Sequence, residues 1–248
     1  MKKLLRFMLL VLVAWVVASL AQTIPDEQLL QALDDARFLQ ADSFAITVKV
    51  IAERTDGTTE ALVKLSFKEI EGELYSRIEF LEPEELAGQV FLNTPDGTFF
   101  WTPDLAGPIK VTARQTVFGD ASVSETAGIR FSNDYRITER REVQLDSGAA
   151  GLELDLEAQE ESVPFQKGTV TVEAETLRPV RLRLFALSGD PLSEVTYLEY
   201  SDLEGDSYAK TQLVTNLLIP ENRTSLDIVA ASTEELPDEL FNPASLGK

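Results

Sequence analysis

The sequence predicts a mainly β protein of the α+β class, built as one long antiparallel meander of about 10–12 strands that bends on itself. Three observations predict it. Apolar residues alternate with polar ones along much of the 248-residue chain, Asp-Gly and similar dipeptides punctuate the alternation, and few stretches show a helical period.

The elements follow in order. Phe44, Ile46, Val48 and Val50 alternate with Ala45, Thr47 and Lys49; beyond an Asp56-Gly57 turn, Ala61, Val63, Leu65 and Phe67 alternate with Leu62, Lys64, Ser66 and Lys68. Leu74, Ile78 and Phe80 carry a third strand until Pro83 to Gly88 breaks it, and Pro95-Asp96-Gly97 joins Val90-Phe91-Leu92 to Phe99-Phe100-Trp101 as a hairpin. Further on, Leu152, Leu154, Leu156 and Ala158 face away from Glu153, Asp155 and Glu157. Val170, Val172 and Ala174 follow, then Val180, Leu182, Leu184 and Ala186 opposite Arg181 and Arg183. Turns at Ser188-Gly189-Asp190 and Leu203-Glu204-Gly205-Asp206 lead into Val195 to Tyr200 and Thr211 to Ile219, and Leu226, Ile228 and Ala230 mark a last strand.

Helices are scarce. Pro25 opens one expected over Asp26 to about Leu39, where Leu29, Leu30, Leu33, Ala36 and Leu39 form a stripe. Ser132-Asn133-Asp134 can cap a second, short helix with Phe131, Tyr135 and Ile137 as its apolar members. So little helix covers only part of so many strands. The remaining apolar face must close around its own side chains or curve around a cavity that an apolar ligand fills.

Composition narrows the chemistry. Lys and Arg number 22 against 42 Asp and Glu, a net charge of −20, and there is no His and no Cys. A Ser-His-Asp triad, a Cys nucleophile, imidazole or thiolate metal ligands and disulfides are therefore excluded. The acid excess gives the field the wrong sign for nucleic acid. An apolar fraction of 44% still supports a real core.

At the start, Lys2, Lys3 and Arg6 precede an apolar run from Phe7 to Leu20 that ends in the small residues Ser19 and Ala21. That pattern predicts a signal peptide over residues 1–21, cleaved or kept as an anchor, and the run is shorter than the roughly 20 residues of a spanning helix. Residues 22–248 then form a single domain, since one all-β domain often reaches about 200–250 residues. No Cys follows the run, so we expect an exported, periplasmic protein without an N-terminal lipid anchor.

Several side chains admit a chemical role and an ordinary one. Glu82, Glu84 and Glu85, and Glu157, Glu160 and Glu161, have the residue types of an acid-base pair or a Ca²⁺ site but lack calcium-loop spacing, so they read as solvated surface. Asp202 to Asp206 reads as a hairpin turn. Asn222-Arg223-Thr224 is a formal glycosylation sequon, meaningful only in a eukaryotic secretory pathway. Arg181 and Arg183 could meet a headgroup, although an exposed strand face accounts for them. We expect no catalytic residue, no cofactor and no metal.

Ser76-Arg77-Ile78-Glu79-Phe80-Leu81-Glu82-Pro83, Gly88-Gln89-Val90-Phe91-Leu92, Phe100-Trp101-Thr102-Pro103-Asp104 and Ile109-Lys110-Val111 follow one another along the chain. Phe131-Ser132-Asn133-Asp134-Tyr135, Leu177-Arg178-Pro179-Val180 and Pro237-Asp238-Glu239-Leu240-Phe241 complete the series. In this order they resemble the LolA/LolB-like outer-membrane lipoprotein-sorting proteins. The resemblance implies a strongly curved, half-open antiparallel β-barrel with a few helices over its concave face and a hydrophobic hollow for acyl chains. Relatives carry a Gly/Ser/Asp-rich segment where this chain has Thr116 to Gly128, and Val117-Phe118-Gly119-Asp120 retains only part of that character.

The implied function is a periplasmic carrier that shields acyl chains of lipoproteins or lipids and helps sort them to the outer membrane. Its partners would be an inner-membrane donor and an outer-membrane acceptor. Physical chemistry favours such a device: at about 0.8 kcal/mol per buried CH₂, a chain of some 15 methylenes resists water by roughly 12 kcal/mol. No phosphate-binding loop is present in the sequence, so direction would come from partners. Candidate wall residues are Val48, Val50, Val63, Leu65, Phe67, Ile78, Phe80, Phe91, Phe99, Trp101, Leu182, Leu184, Leu213 and Leu217. An envelope lipid-sensing or regulatory binding protein of the same fold, without transport, is the alternative. A hydrolase would instead need two inward carboxylates about 5 Å or about 6.5–9.5 Å apart.

Overall fold

A computed structural model describes residues 24–112, 115–119, 121–122 and 129–247. The expected signal peptide, residues 1–21, lies outside them. The strands are β1 (Ser43–Arg54), β2 (Gly57–Ile70), β3 (Glu73–Glu82), β4 (Val90–Thr94), β5 (Gly97–Trp101), β6 (Ile109–Val111), β7 (Thr116–Phe118) and β8 (Ala121–Ser122). They continue as β9 (Tyr135–Gln144), β10 (Ala150–Ala158), β11 (Lys167–Glu173), β12 (Pro179–Phe185), β13 (Pro191–Leu203), β14 (Asp206–Asn216) and β15 (Arg223–Ser232). Among the described residues two α-helices, α1 (Asp26–Asp35) and α2 (Phe131–Asp134), and two short 3₁₀ helices, Asp238–Phe241 and Pro243–Ser245, accompany them.

Thirteen strands form one antiparallel sheet in the order β6-β5-β4-β3-β2-β1-β15-β14-β13-β12-β11-β10-β9, and β7 pairs with β8 alone. The ends of that order, β6 and β9, are not paired with each other, so the sheet is not closed. The strand number exceeds the expected range slightly. Strand β6 is only three residues long, too short for alternation to reveal it.

The chain divides into two compact units. The first joins the segment up to Phe38 to Arg130–Leu192. Its strands bury Leu152, Leu154 and Leu156 of β10, Val170 and Val172 of β11, and Leu182 and Leu184 of β12. Register places Leu154 and Leu182 on either side of Val170, which aligns these side chains on one face.

Helix α1 buries Leu29, Leu30 and Leu33 and carries Asp26 and Glu27 in its first turn, where the helix dipole favours acid. It stops at Asp35, short of the expected Leu39, because Arg37 and Phe38 close a tighter turn on the Asp34 carbonyl at 3.0 and 3.1 Å. Helix α2 is shorter than the cap pattern suggested. Tyr135 takes extended backbone angles and enters β9, where Ile137 pairs with Leu156, so these two residues are strand and not helix members.

In place of a local cap, α2 uses Asp34 from α1. The Asp34 carboxylate accepts from Phe131 N at 3.0 Å, Ser132 N at 2.9 Å and Ser132 Oγ at 2.8 Å. Arg37 donates to it at 2.9 Å and lies over the Phe131 ring, 4.3 Å from its centroid. Both charges are nearly buried, so each compensates the dehydration of the other.

The second unit comprises Leu39–Ile129 and Ser193–Lys248. Along β1 and β2 the register sets Phe44 against Phe67, Ile46 against Leu65, Val48 against Val63 and Val50 against Ala61. Thus the period-two pattern of the two strands falls on a common face. Leu65 pairs with Ile78 of β3, Ile78 with Phe91 of β4, and Val48 with Ile228 of β15, which extends the apolar face in both directions.

The other face of β4 and β5 is apolar too, and the C-terminal segment covers it. Leu236, Phe241 and Leu246 pack with Val90 and Leu92, and Phe99 and Trp101 border this cluster. Lys68 anchors the segment by donating to the Leu236 carbonyl and pairing with Asp238 at 2.7 Å. Gly247 must be glycine here: its φ is +85°, and a Cβ would stand 2.7 Å from the Trp101 indole nitrogen.

Candidate functional site

Strands β1, β2, β3, β14 and β15 share an apolar face. The hairpin β7–β8 lies over it. Between them is a cavity of about 30 Å³ lined by Ile46, Val48, Val50, Val63, Leu65, Ile78, Val117, Phe118, Ala121, Gln212, Leu226 and Ile228. Among the described residues of the lining none carries a charge, and Gln212 is the one with a polar side chain. Such a site selects by shape and dryness, because it offers little to compensate the dehydration of an ion.

The hairpin is seated by side chains and a close backbone approach. The Phe118 ring lies 6.3 Å from that of Phe80, centroid to centroid. At Gly119 the backbone has φ +60°, and an added Cβ would stand 2.5 Å from Ala52 Cβ and 2.5 Å from Thr224 Oγ1. Both neighbours are fully buried. Only a residue without a side chain lets the chain come this near to β1 and β15.

Of the fourteen candidate wall residues, Val48, Val50, Val63, Leu65 and Ile78 line the cavity together. Phe67 and Phe80 are buried on the same faces of β2 and β3, with Phe67 stacked on Phe44 at 4.7 Å between ring centroids. Phe91 extends the face and meets Phe100 at 4.7 Å. Phe99 and Trp101 point to the opposite side, toward the C-terminal cluster, because they alternate with Phe100 along β5. Leu182 and Leu184 belong to the core of the first unit. Leu213 alternates with the lining residue Gln212, and Leu217 follows the end of β14 in a turn.

Sequence reasoning missed Ile46, Gln212, Leu226, Ile228 and the hairpin residues Val117, Phe118 and Ala121. Ile46, Leu226 and Ile228 carried a signal, since each sits on an alternating run. Gln212 carried none: a bulge in β14, where Glu199 and Tyr200 pair with Thr211 and Ala209, resets which side chains face inward.

The acidic clusters lie elsewhere. Glu82, Glu84, Glu85, Glu160 and Glu161 are exposed, and among the described residues no group of three acidic side chains could hold a metal ion. Among the described residues the one strongly shifted carboxyl is Asp134 in α2, raised to about 6 by burial against a backbone bond from Arg130. The segment Asp202 to Asp206 is the tight turn of the β13–β14 hairpin, with φ +56° at Glu204 and +104° at Gly205. In the sequon, Asn222 and Thr224 are both buried.

This arrangement, an unclosed antiparallel sheet with an apolar hollow under a small cover, is a LolA-like fold. Solved structures agree. A LolA superfamily protein from Nitrosomonas europaea matches with a TM-score of 0.80 and 22% identity, over 90% of this chain and 100% of its own. A domain described as an outer membrane lipoprotein-sorting protein from Vibrio parahaemolyticus gives 0.78 and 17%, over 90% and 98%. A DUF1329 family protein from Desulfovibrio piger gives 0.76 and 14%, over 89% and 97%. No curated protein sequence matches the chain. A family model described as "Uncharacterized protein" covers residues 72–248, and the chain belongs to that family, with the LolA-like fold its sequence resembles.

Proposed function

We propose that the protein is a periplasmic carrier that takes an acyl chain of a lipoprotein or lipid against the apolar face of β1, β2, β3, β14 and β15. The observation that supports this most is the cavity beneath the β7–β8 hairpin, whose described lining residues carry no charge. At about 30 Å³ it has room for little more than one or two waters, far less than an acyl chain needs. Cargo binding therefore requires the hairpin to leave its seat.

That exchange is energetically reasonable. Val117, Phe118 and Ala121 occupy the groove as a lipid chain would, so a chain entering it replaces one apolar filling with another and leaves no void. Displaceable packing also suits a carrier, which must release what it binds. The LolA-like fold and the signal-like N-terminal pattern support an envelope location and a role in sorting between membranes.

The test is to express the full chain in a Gram-negative host, purify the exported protein without detergent, and examine it by native mass spectrometry and lipid extraction. A carrier should arrive with substoichiometric acyl lipid or lipoprotein and take up more from donor vesicles. Absence of any bound acyl species, with no uptake from vesicles, would overturn the reading.

A further inference from the structure

We propose that Gln212 makes the pocket selective for a chain bearing an uncharged carbonyl, ester- or amide-linked, over a free fatty acid. The inference rests on the lipid-pocket reading and specifies its ligand. Gln212 brings a primary amide into a wall whose other described residues have aliphatic or aromatic side chains. Its strand neighbours are Leu226 on β15 and Tyr197 on β13, so no charged residue pairs directly beside it.

The amide is poorly used by the protein itself. Among the described residues, its Nε2 has one acceptor, the Ala209 carbonyl at 3.5 Å, the outer limit of a hydrogen bond. The Gln212 side chain is half-buried, and a ligand carbonyl at normal distance would replace this long bond with a better one. A carboxylate would also accept the bond but would be dehydrated with no cation among the described lining residues to compensate it. The net charge of −20 adds a repulsive field against any anion. An ester or amide carbonyl supplies the acceptor without the charge.

The test is competition against N-phenyl-1-naphthylamine fluorescence on the purified exported protein at pH 8, with dodecane, methyl laurate and sodium laurate as competitors. The wild type should bind methyl laurate about tenfold more tightly than laurate. Gln212→Leu should lower the preference for methyl laurate over dodecane about fivefold, with dodecane binding unchanged or improved. Gln212→Met, of similar length, should do the same and serves if the leucine variant does not fold. An unchanged ester-to-alkane ratio in a folded variant would overturn the proposal, as would equal binding of laurate and its ester by the wild type; both results leave the pocket itself standing. Failure of all three competitors to displace the dye would overturn the pocket reading along with it.

Discussion

Asp34 and Ser132 stand 98 positions apart in sequence, yet the Asp34 carboxylate accepts both the backbone N–H and the hydroxyl of Ser132, at 2.9 and 2.8 Å. A residue near the end of one helix thus caps another, and α2 keeps its single turn because of it. The same carboxylate neutralises the nearly buried Arg37.

Replacing Asp34 by Ala removes the acceptor for three donors and leaves Arg37 without this partner. We expect a loss of about 3–5 kcal/mol in urea unfolding, and a smaller loss for Asp34→Asn, which keeps one acceptor oxygen. An alanine variant within about 1 kcal/mol of the wild type would contradict the capping role.

Asp134 predicts a pH effect of definite sign. Its carboxyl is raised from 3.8 to about 6, first by burial, so the folded state binds this proton more tightly than the unfolded chain does. The resulting stabilisation is complete below pH 3.8 and is lost as pH rises through about 6. Asp134→Asn should remove this contribution, on the order of 2 kcal/mol, so that the stability difference between variant and wild type shifts in favour of the variant from pH 4 to pH 7. Parallel stability–pH curves for the two proteins would refute the assignment.

Gly119→Val should unseat the hairpin without damaging the sheet beneath, since the added side chain meets Ala52 and Thr224 and the left-handed backbone disfavours it. Limited proteolysis should then cut within residues 112–129 at least several-fold faster than in the wild type, and N-phenyl-1-naphthylamine should bind more strongly. Unchanged cleavage in a folded variant would mean that the hairpin is not held by this contact.

Phe241→Ala tests the C-terminal cover. Phe241 is 2% exposed and meets Tyr75 edge-on, so truncation should cost about 3 kcal/mol. Trp101 borders the same cluster and is the sole tryptophan beyond residue 21, which makes its emission a local reporter. The emission should shift to longer wavelength well before global unfolding.

Much of the fold was legible because each strand repeats its apolar pattern at period two, and that period survives whatever the strand pairs with. The β1, β2 and β3 members of the site were readable for the same reason. Phe99 and Trp101 show the limit of the method: alternation places them together, but both faces of β5 are apolar, and the pattern does not say which one looks toward the pocket. Tyr135 and Ile137 show another, since a local cap signal was overridden by pairing with β10.

By itself the sequence determined a long antiparallel meander and the exclusion of imidazole and thiol chemistry, because strand periodicity and residue inventory are local properties. Only the tertiary structure decided that β7–β8 fills the groove, that Gly119 must approach Ala52 and Thr224, and that the bulge in β14 turns Gln212 inward. Those features depend on contacts between segments distant in the chain, where one residue of register exchanges the wet face of a strand for the dry one.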